Sequence, residues 1–288
     1  MNTPASIDEQ FRPLVRPWAV LVHAFYEDVW QGIADRLEAS GMDFDLYVTV
    51  PDPQAFDALT ASVAARFSHA RILRVPNRGR DVAPFLVAME AFDLYSYDVV
   101  LKLHTKRSTH LGQDGIRWSN DLFRSLCGDA ATMQAAVRLF RRVPQIGMIH
   151  PEFVKTSIQS ELIPNLPWLD RLLPRLHSGV KGLRLEWDFA AGTMFWFRGA
   201  AMRPLRDLGL GIEDFEPEQG QINGTLAHAL ERVFPQIIYR SGQMVLAVNW
   251  IASVSDADVA NVVTKMAKPA PVARKGFRTP PRRGAARR

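Results

Sequence analysis

The chain has 288 residues, 47% hydrophobic and 23% charged, with a net charge of +5, a composition that excludes a fibrous or wholly disordered chain. The charge is uneven. Nine Lys or Arg and no Asp or Glu lie within 265–288, which leaves residues 1–264 at −4, so only the tail is basic and a nucleic-acid-reading body is disfavoured.

Residues 1–17 lack a basic n-region followed by an apolar h-region, and are expected to be an N-terminal extension rather than a secretory signal. WAVLVHAF (18–25) is a short apolar run, and EDVWQGIADRLEAS (27–40) places Val29, Ile33 and Leu37 at helical spacing before Gly41. The unit recurs: FDLYVTV (44–50) precedes PDPQAFDALTASVAARF, where Asp52 and Pro53 suit a cap and first turn. ARILRVP (70–76) leads into the helix VAPFLVAMEAF, and YDVVLKL (97–103) is a fourth strand. Alternating strands and helices imply an α/β fold with a mostly parallel sheet covered by helices on both faces.

Beyond 105 the rhythm changes. Residues 119–142 are expected to be helical, IGMIHP (146–151) a strand, and 152–188 an irregular insertion containing Trp168 and Trp187. FAAGTMFWFRG (189–199) is expected as a strand, 200–208 as a helix, and 216–234 as a loop running into a helix. PQIIYRSG and MVLAV are expected as closing strands. The tail from about 265, rich in Pro, Arg, Gly and Ala, is expected to be disordered. One domain over 18–264 is thus expected between the extension and the tail. The single cysteine, Cys127, cannot form an internal disulfide and no CxxC is present, which fits a reducing, cytoplasmic compartment. MVLAVNWIASV is too short and too interrupted to span a membrane.

Two charged knots follow apolar strands. Asn77, Arg78, Gly79, Arg80 and Asp81 lie between the third strand and a helix, where a glycine, two cations and a helix N-terminus suit a phosphate or diphosphate. Asp81 alone fits an N-cap equally well. Lys102 lies within the fourth strand, and His104, Thr105, Lys106 and Arg107 follow it. A lysine in an apolar strand requires a partner or a path to water; an anionic ligand at the strand end is one such partner, and a solvated strand end is the other reading.

On NRGRDVAPFL (77–86), LKLHTKRS (101–108), AAGTMFWFRG (190–199) and GTLAHALERVF (224–234), in this order, the chain resembles the rhamnan synthesis F family of bacterial polysaccharide-assembly proteins. The resemblance implies a GT-A-like nucleotide-sugar-binding domain and a glycosyltransferase building a surface polysaccharide of the O-antigen or rhamnan type, with rhamnose a candidate sugar. It also implies an Asn-x-Gly loop after the third strand, matched by Asn77-Arg78-Gly79, and an Asp-x-Asp metal motif after the fourth, where this chain has His104-Thr105-Lys106. No cofactor is therefore expected; a divalent metal stays open, but without the motif that would hold it. Lys102, Lys106, Arg78 and Arg80 are instead the candidates for stabilising a diphosphate leaving group.

The candidate general bases are Glu218, His228 and Glu231, with Glu218 placed first. His228 and Glu231 share a helix face, and a packed histidine and an ion-paired glutamate are the alternatives. Gly192 and Thr193 allow close backbone approach, and Trp196 is a candidate for stacking on a sugar. Alternation sends Met194 and Trp196 to one side of their strand, Phe195 and Phe197 to the other. The expected partners are a nucleotide-sugar donor, a lipid-linked or polysaccharide acceptor, and an anionic inner-membrane surface met by the tail. A non-catalytic nucleotide-sugar- or glycan-binding component of an assembly complex is the alternative function.

Overall fold

The computed structural model describes residues 18–105, 112–152, 162–177, 190–255 and 257. The extension 1–17 and the tail 265–288 lie outside the described residues, as do Lys106, Arg107 and Trp187.

Strands β1 (Trp18–His23), β2 (Asp45–Pro51), β3 (Arg71–Val75), β4 (Val99–His104), β5 (Ile146–His150), β6 (Phe195–Phe197) and β7 (Met244–Ala247) form one sheet. Its order is β3-β2-β1-β4-β6-β5-β7. β6 runs antiparallel to both its neighbours and every other pairing is parallel, so all strands except β6 end at one edge. β1, β2 and β4 are buried along their whole length, as strands covered on both faces must be.

One face packs against α1 (Glu27–Ala39), α2 (Asp57–Arg66), α4 (Gly112–Cys127) and α5 (Ala130–Arg142). The other packs against α3 (Val82–Ala91), α6 (Leu166–His177), α7 (Leu226–Arg240) and a 3-10 helix at Gly199–Leu208. The period-two reading of β6 holds: Met194 and Trp196 enter the first core, Phe195 and Phe197 the second. α1 buries Trp30, Ile33, Ala34 and Leu37, and Gly41 just beyond it takes φ 60, the left-handed conformation that ends a helix.

Several expectations are corrected. PQIIYR is not a strand. α7 continues through Pro235 to Arg240, because Ile237 and Ile238 face the second core and their burial offsets the one backbone hydrogen bond the proline removes. Part of the supposedly irregular 152–188 is α6, whose Leu169, Leu172 and Leu176 face the same core at helical spacing. The helical stretch near 119–142 is two helices, divided at Gly128 and restarted by Asp129, whose carboxylate accepts from the Thr132 N–H at 2.7 Å. The strand expected over 189–199 has only three residues, and 200–208 is 3-10 rather than α.

Candidate functional site

The strand order reverses between β1 and β4, since β2 and β3 continue outward from one side of β1 while β4 is added on the other. A crevice opens beyond the carboxyl ends at such a point. Here the last residues of the two strands, His23 and His104, are direct partners. Thr105 closes the floor between them: its N–H donates to the His23 carbonyl at 3.0 Å, and its Oγ1 accepts from the Phe25 and Tyr26 N–H groups at 2.7 and 3.0 Å.

Beside this floor the two charged knots meet each other. The Lys102 side chain points to the second face, where it is 1% exposed, and its Nζ donates to Asp81 Oδ2 and to the Thr193 carbonyl, each at 2.6 Å. Asp81 occupies the N-cap position of α3 but caps nothing; its carboxylate turns inward and also accepts from the Thr193 hydroxyl. His104 Nε2 bonds the Gly192 carbonyl at 2.7 Å, while Nδ1 lies 3.9 Å from Asp81. From α7, Glu231 accepts from the Gly192 N–H at 2.6 Å and from Arg232 at 2.7 Å.

The Gly192–Thr193 turn is thereby held from three sides. It needs to be, because Gly192 has φ 84 and Thr193 has φ 52, and a non-glycine residue there costs on the order of 1–3 kcal/mol that the surroundings must offset.

The electrostatics follow from burial. Burial opposes ionisation of Asp81, but the charges of His104 and Lys102 and the hydrogen bonds from Lys102 and Thr193 outweigh it and hold the carboxyl far below the usual carboxylate range. Burial also pulls the Lys102 pKa down, with Asp81 opposing. Both of its partners are acceptors at 2.6 Å, one of them the ionised Asp81 carboxylate, an arrangement that favours the ammonium. His23, whose Nδ1 pairs with the Thr49 hydroxyl at 3.0 Å, is pushed down to about 4, chiefly by burial and against the pull of Asp81.

The arginine loop is engaged from outside. Arg78 pairs with Glu213; Arg80 donates to the Gln221 carbonyl and lies 3.5 Å from Glu218. An isolated antiparallel bridge joins Arg78 to Pro217. Gly79 at φ 62 lies against Phe215: a Cβ there would sit 2.4 and 2.7 Å from its ring carbons, so glycine is required for both the turn and the close approach.

Of the sequence candidates, the structure brings Asp81, Lys102, His104, Gly192, Thr193 and Glu231 into one network, with Thr105 beside it. Arg78, Gly79, Arg80 and Glu218 form an adjoining cluster, and Asn77 is exposed at its edge. Two expectations change. Lys102 faces Asp81, which neutralises it, so it is no free cation awaiting a diphosphate. Trp196 is completely buried and its Nε1 donates to the Leu126 carbonyl, which leaves no ring face for a sugar. His228 pairs with the Thr225 hydroxyl at 2.7 Å in a capping box at the start of α7.

Sequence reasoning passed over His23, Thr49, Glu213 and Glu216. The His23 signal was a titratable residue at the end of an apolar strand, as with His104. Glu216 accepts from the Leu226 N–H at 3.1 Å and from Trp168 Nε1 at 3.2 Å, joining α6 to α7. Among the described residues no three His, Cys, Asp or Glu side chains gather as a metal site would require, and no helix is long and apolar enough to cross a membrane.

The NRGRD loop, the end of β4, the Gly192–Thr193 turn and α7 are the segments that meet here, and a family model described as rhamnan synthesis protein F matches residues 4–242, spanning all of them. The chain belongs to the rhamnan synthesis protein F family. It is also 36% identical over 230 residues to two uncharacterised WxcX proteins from strains of Xanthomonas campestris pv. campestris. The match covers 80% of this chain and 32% of each of theirs, so the chain spans about a third of the length of these curated relatives. In this rhamnan synthesis F chain, the described parts of the four segments that carried the resemblance are the ones that meet at the ends of β1 and β4.

Proposed function

We propose that this domain is a GT-A-like glycosyltransferase that moves a sugar, rhamnose being the candidate, from a nucleotide-sugar donor to a growing bacterial surface polysaccharide. Family membership supports a part in polysaccharide synthesis. The observation that carries the reading is the buried Asp81–Lys102–Thr193 network at the β1/β4 switch point, a cluster of perturbed ionisable groups where an α/β sheet binds its ligands. In this reading the donor diphosphate lies against Arg78 and Arg80, and Lys106 is a further candidate for it. The ionised Asp81 and the Gly192–Thr193 turn form the wall of the sugar site.

Glu218 takes the proton from the acceptor hydroxyl. The acceptor oxygen forms a bond to the anomeric carbon, the carbon–phosphate-oxygen bond breaks, and its electron pair leaves on the nucleoside diphosphate. Glu231, both of whose oxygens hold protein donors, serves as a positioning residue. The end of β4 supplies Lys102, His104 and Thr105 where carboxylates would hold a metal, and transfer that survives EDTA is the expected outcome. The acceptor is a lipid-linked or polysaccharide chain, and the basic tail meets an anionic inner-membrane surface as a peripheral contact from the cytoplasm.

A second reading, a non-catalytic nucleotide-sugar- or glycan-binding component, is favoured by the internal pairing of Lys102, Arg78 and Arg80. Incubation with a panel of dTDP-, UDP- and GDP-sugars separates the two. Release of nucleoside diphosphate that is lost in Glu218→Gln supports transfer; saturable binding without release supports the second reading; binding to none of them refutes both.

A further inference from the structure

We propose that Glu213 and Glu218 are displaceable counter-ligands of the arginine loop: they hold Arg78 and Arg80 until a nucleoside diphosphate exchanges for them, and that exchange frees the Glu218 carboxylate. This rests on the donor reading above and adds that donor binding and release of the base are one event.

Three observations carry it. First, each pair is open to solvent on one side. Glu213 is 79% accessible against a half-buried Arg78, and Arg80 39% against a half-buried Glu218, and solvent-facing pairs of this kind shift an equilibrium by only about fivefold or less. A diphosphate presents more charge and more acceptor oxygens to the guanidinium forks than a single carboxylate does.

Second, Arg78 is incompletely satisfied: its Nε is buried and has no hydrogen-bond partner among the described residues. A buried N–H left so is uncommon and calls for an acceptor. Third, the segment bearing the carboxylates is anchored independently of them. Phe215 is buried against Gly79, and Glu216 is fixed on the Leu226 N–H at the start of α7. Between these anchors and Gly224, at φ 80, the chain is largely exposed, with Gly220 at φ 73. Glu213 and Glu218 can therefore leave their arginines by side-chain rotation, without unseating the loop.

The consequence is that neutralising either carboxylate should tighten binding of a diphosphate by more than neutralising a carboxylate elsewhere on the surface does. Titration calorimetry of the full chain with inorganic pyrophosphate, at low ionic strength, tests it. Glu213→Gln and Glu218→Gln are each expected to tighten pyrophosphate binding about 2–5-fold, with the gain fading at high salt. Arg78→Gln is expected to weaken binding about 10-fold or more. Glu90→Gln, which removes an exposed carboxylate from Arg206 at the far end of α3, is expected to change nothing. If the wild-type chain binds pyrophosphate and the two glutamine variants bind no tighter, the counter-ligand role is wrong. It is also wrong if Glu90→Gln tightens binding as much, since the effect is then one of general charge. If neither the wild type nor any variant binds pyrophosphate, the donor reading falls and takes this inference with it.

Discussion

Replacing Lys102 by methionine keeps an unbranched apolar stem and removes the ammonium. In the folded protein this leaves the Asp81 carboxylate buried, with the Thr193 hydroxyl and His104 as neighbours, and strips the Thr193 carbonyl of its 2.6 Å donor. Removing one member of a buried pair costs about 3–5 kcal/mol, because the other charge loses its compensation while staying out of water. For a domain of this size that is a fall in Tm of roughly 6–20 °C.

The double variant Asp81→Asn/Lys102→Met removes both charges and keeps a side-chain acceptor for Thr193. It is expected to lose only about 1–2 kcal/mol, less than Lys102→Met alone, so the losses of the two single variants are not additive. Urea unfolding followed by tryptophan fluorescence, on both single variants and the double, measures the cycle. A loss below about 1 kcal/mol for Lys102→Met, or a double variant equal to the sum of the singles, would show that the pair is not the buried clamp described here.

His23 gives a pH signature. Its folded pKa of about 4 lies below the ordinary 6.5, so the unfolded chain takes up the proton first and stability falls as pH drops through that window; the loss between pH 7 and 4.5 is about 2 kcal/mol. His23→Gln should flatten this part of the stability profile, and an unchanged slope would contradict the assignment. Asp81 acts at lower pH: with its folded pKa depressed, the stability it contributes is complete above about pH 4 and drains away below it, so Asp81→Asn should be less acid-sensitive than wild type in the same titration. Gly79→Ala combines a positive φ with a clash against the Phe215 ring and is expected to cost about 2–4 kcal/mol in chemical denaturation. Deleting 265–288 should reduce pelleting with anionic vesicles about tenfold or more while leaving binding to nucleotide sugars intact; loss of nucleotide-sugar binding would overturn the separation of body from tail.

Much of the site was legible because strand ends announce themselves. Asp81, Lys102, His104 and Thr193 lie where an apolar run stops or a glycine breaks it, and each is a polar residue with a chemical reason to be there. What could not be read was the partner of each. Lys102 in an apolar strand demanded an acceptor, and an external anion and an internal carboxylate satisfy that demand equally well on paper. The choice of Asp81 depends on the start of α3 lying within hydrogen-bond reach of Lys102 on β4. Trp196 misled for a related reason: an aromatic residue in a strand looks the same whether it lines a cleft or a core, and only the packing of α4 and α5 over that face placed it in the core.

The sequence by itself determined the alternating strand–helix order through β4, the two-sided burial of the strands, the basic tail and the segments that converge on the crevice. These are written in local periodicity and in residue types at element ends. The tertiary structure decided the antiparallel insertion of β6, the run of α7 through Pro235, and above all the pairing of the charges. Pairing is a property of distances between segments roughly 20 to 140 residues apart along the chain, and electrostatic energy depends on separation and burial rather than on the order of residues.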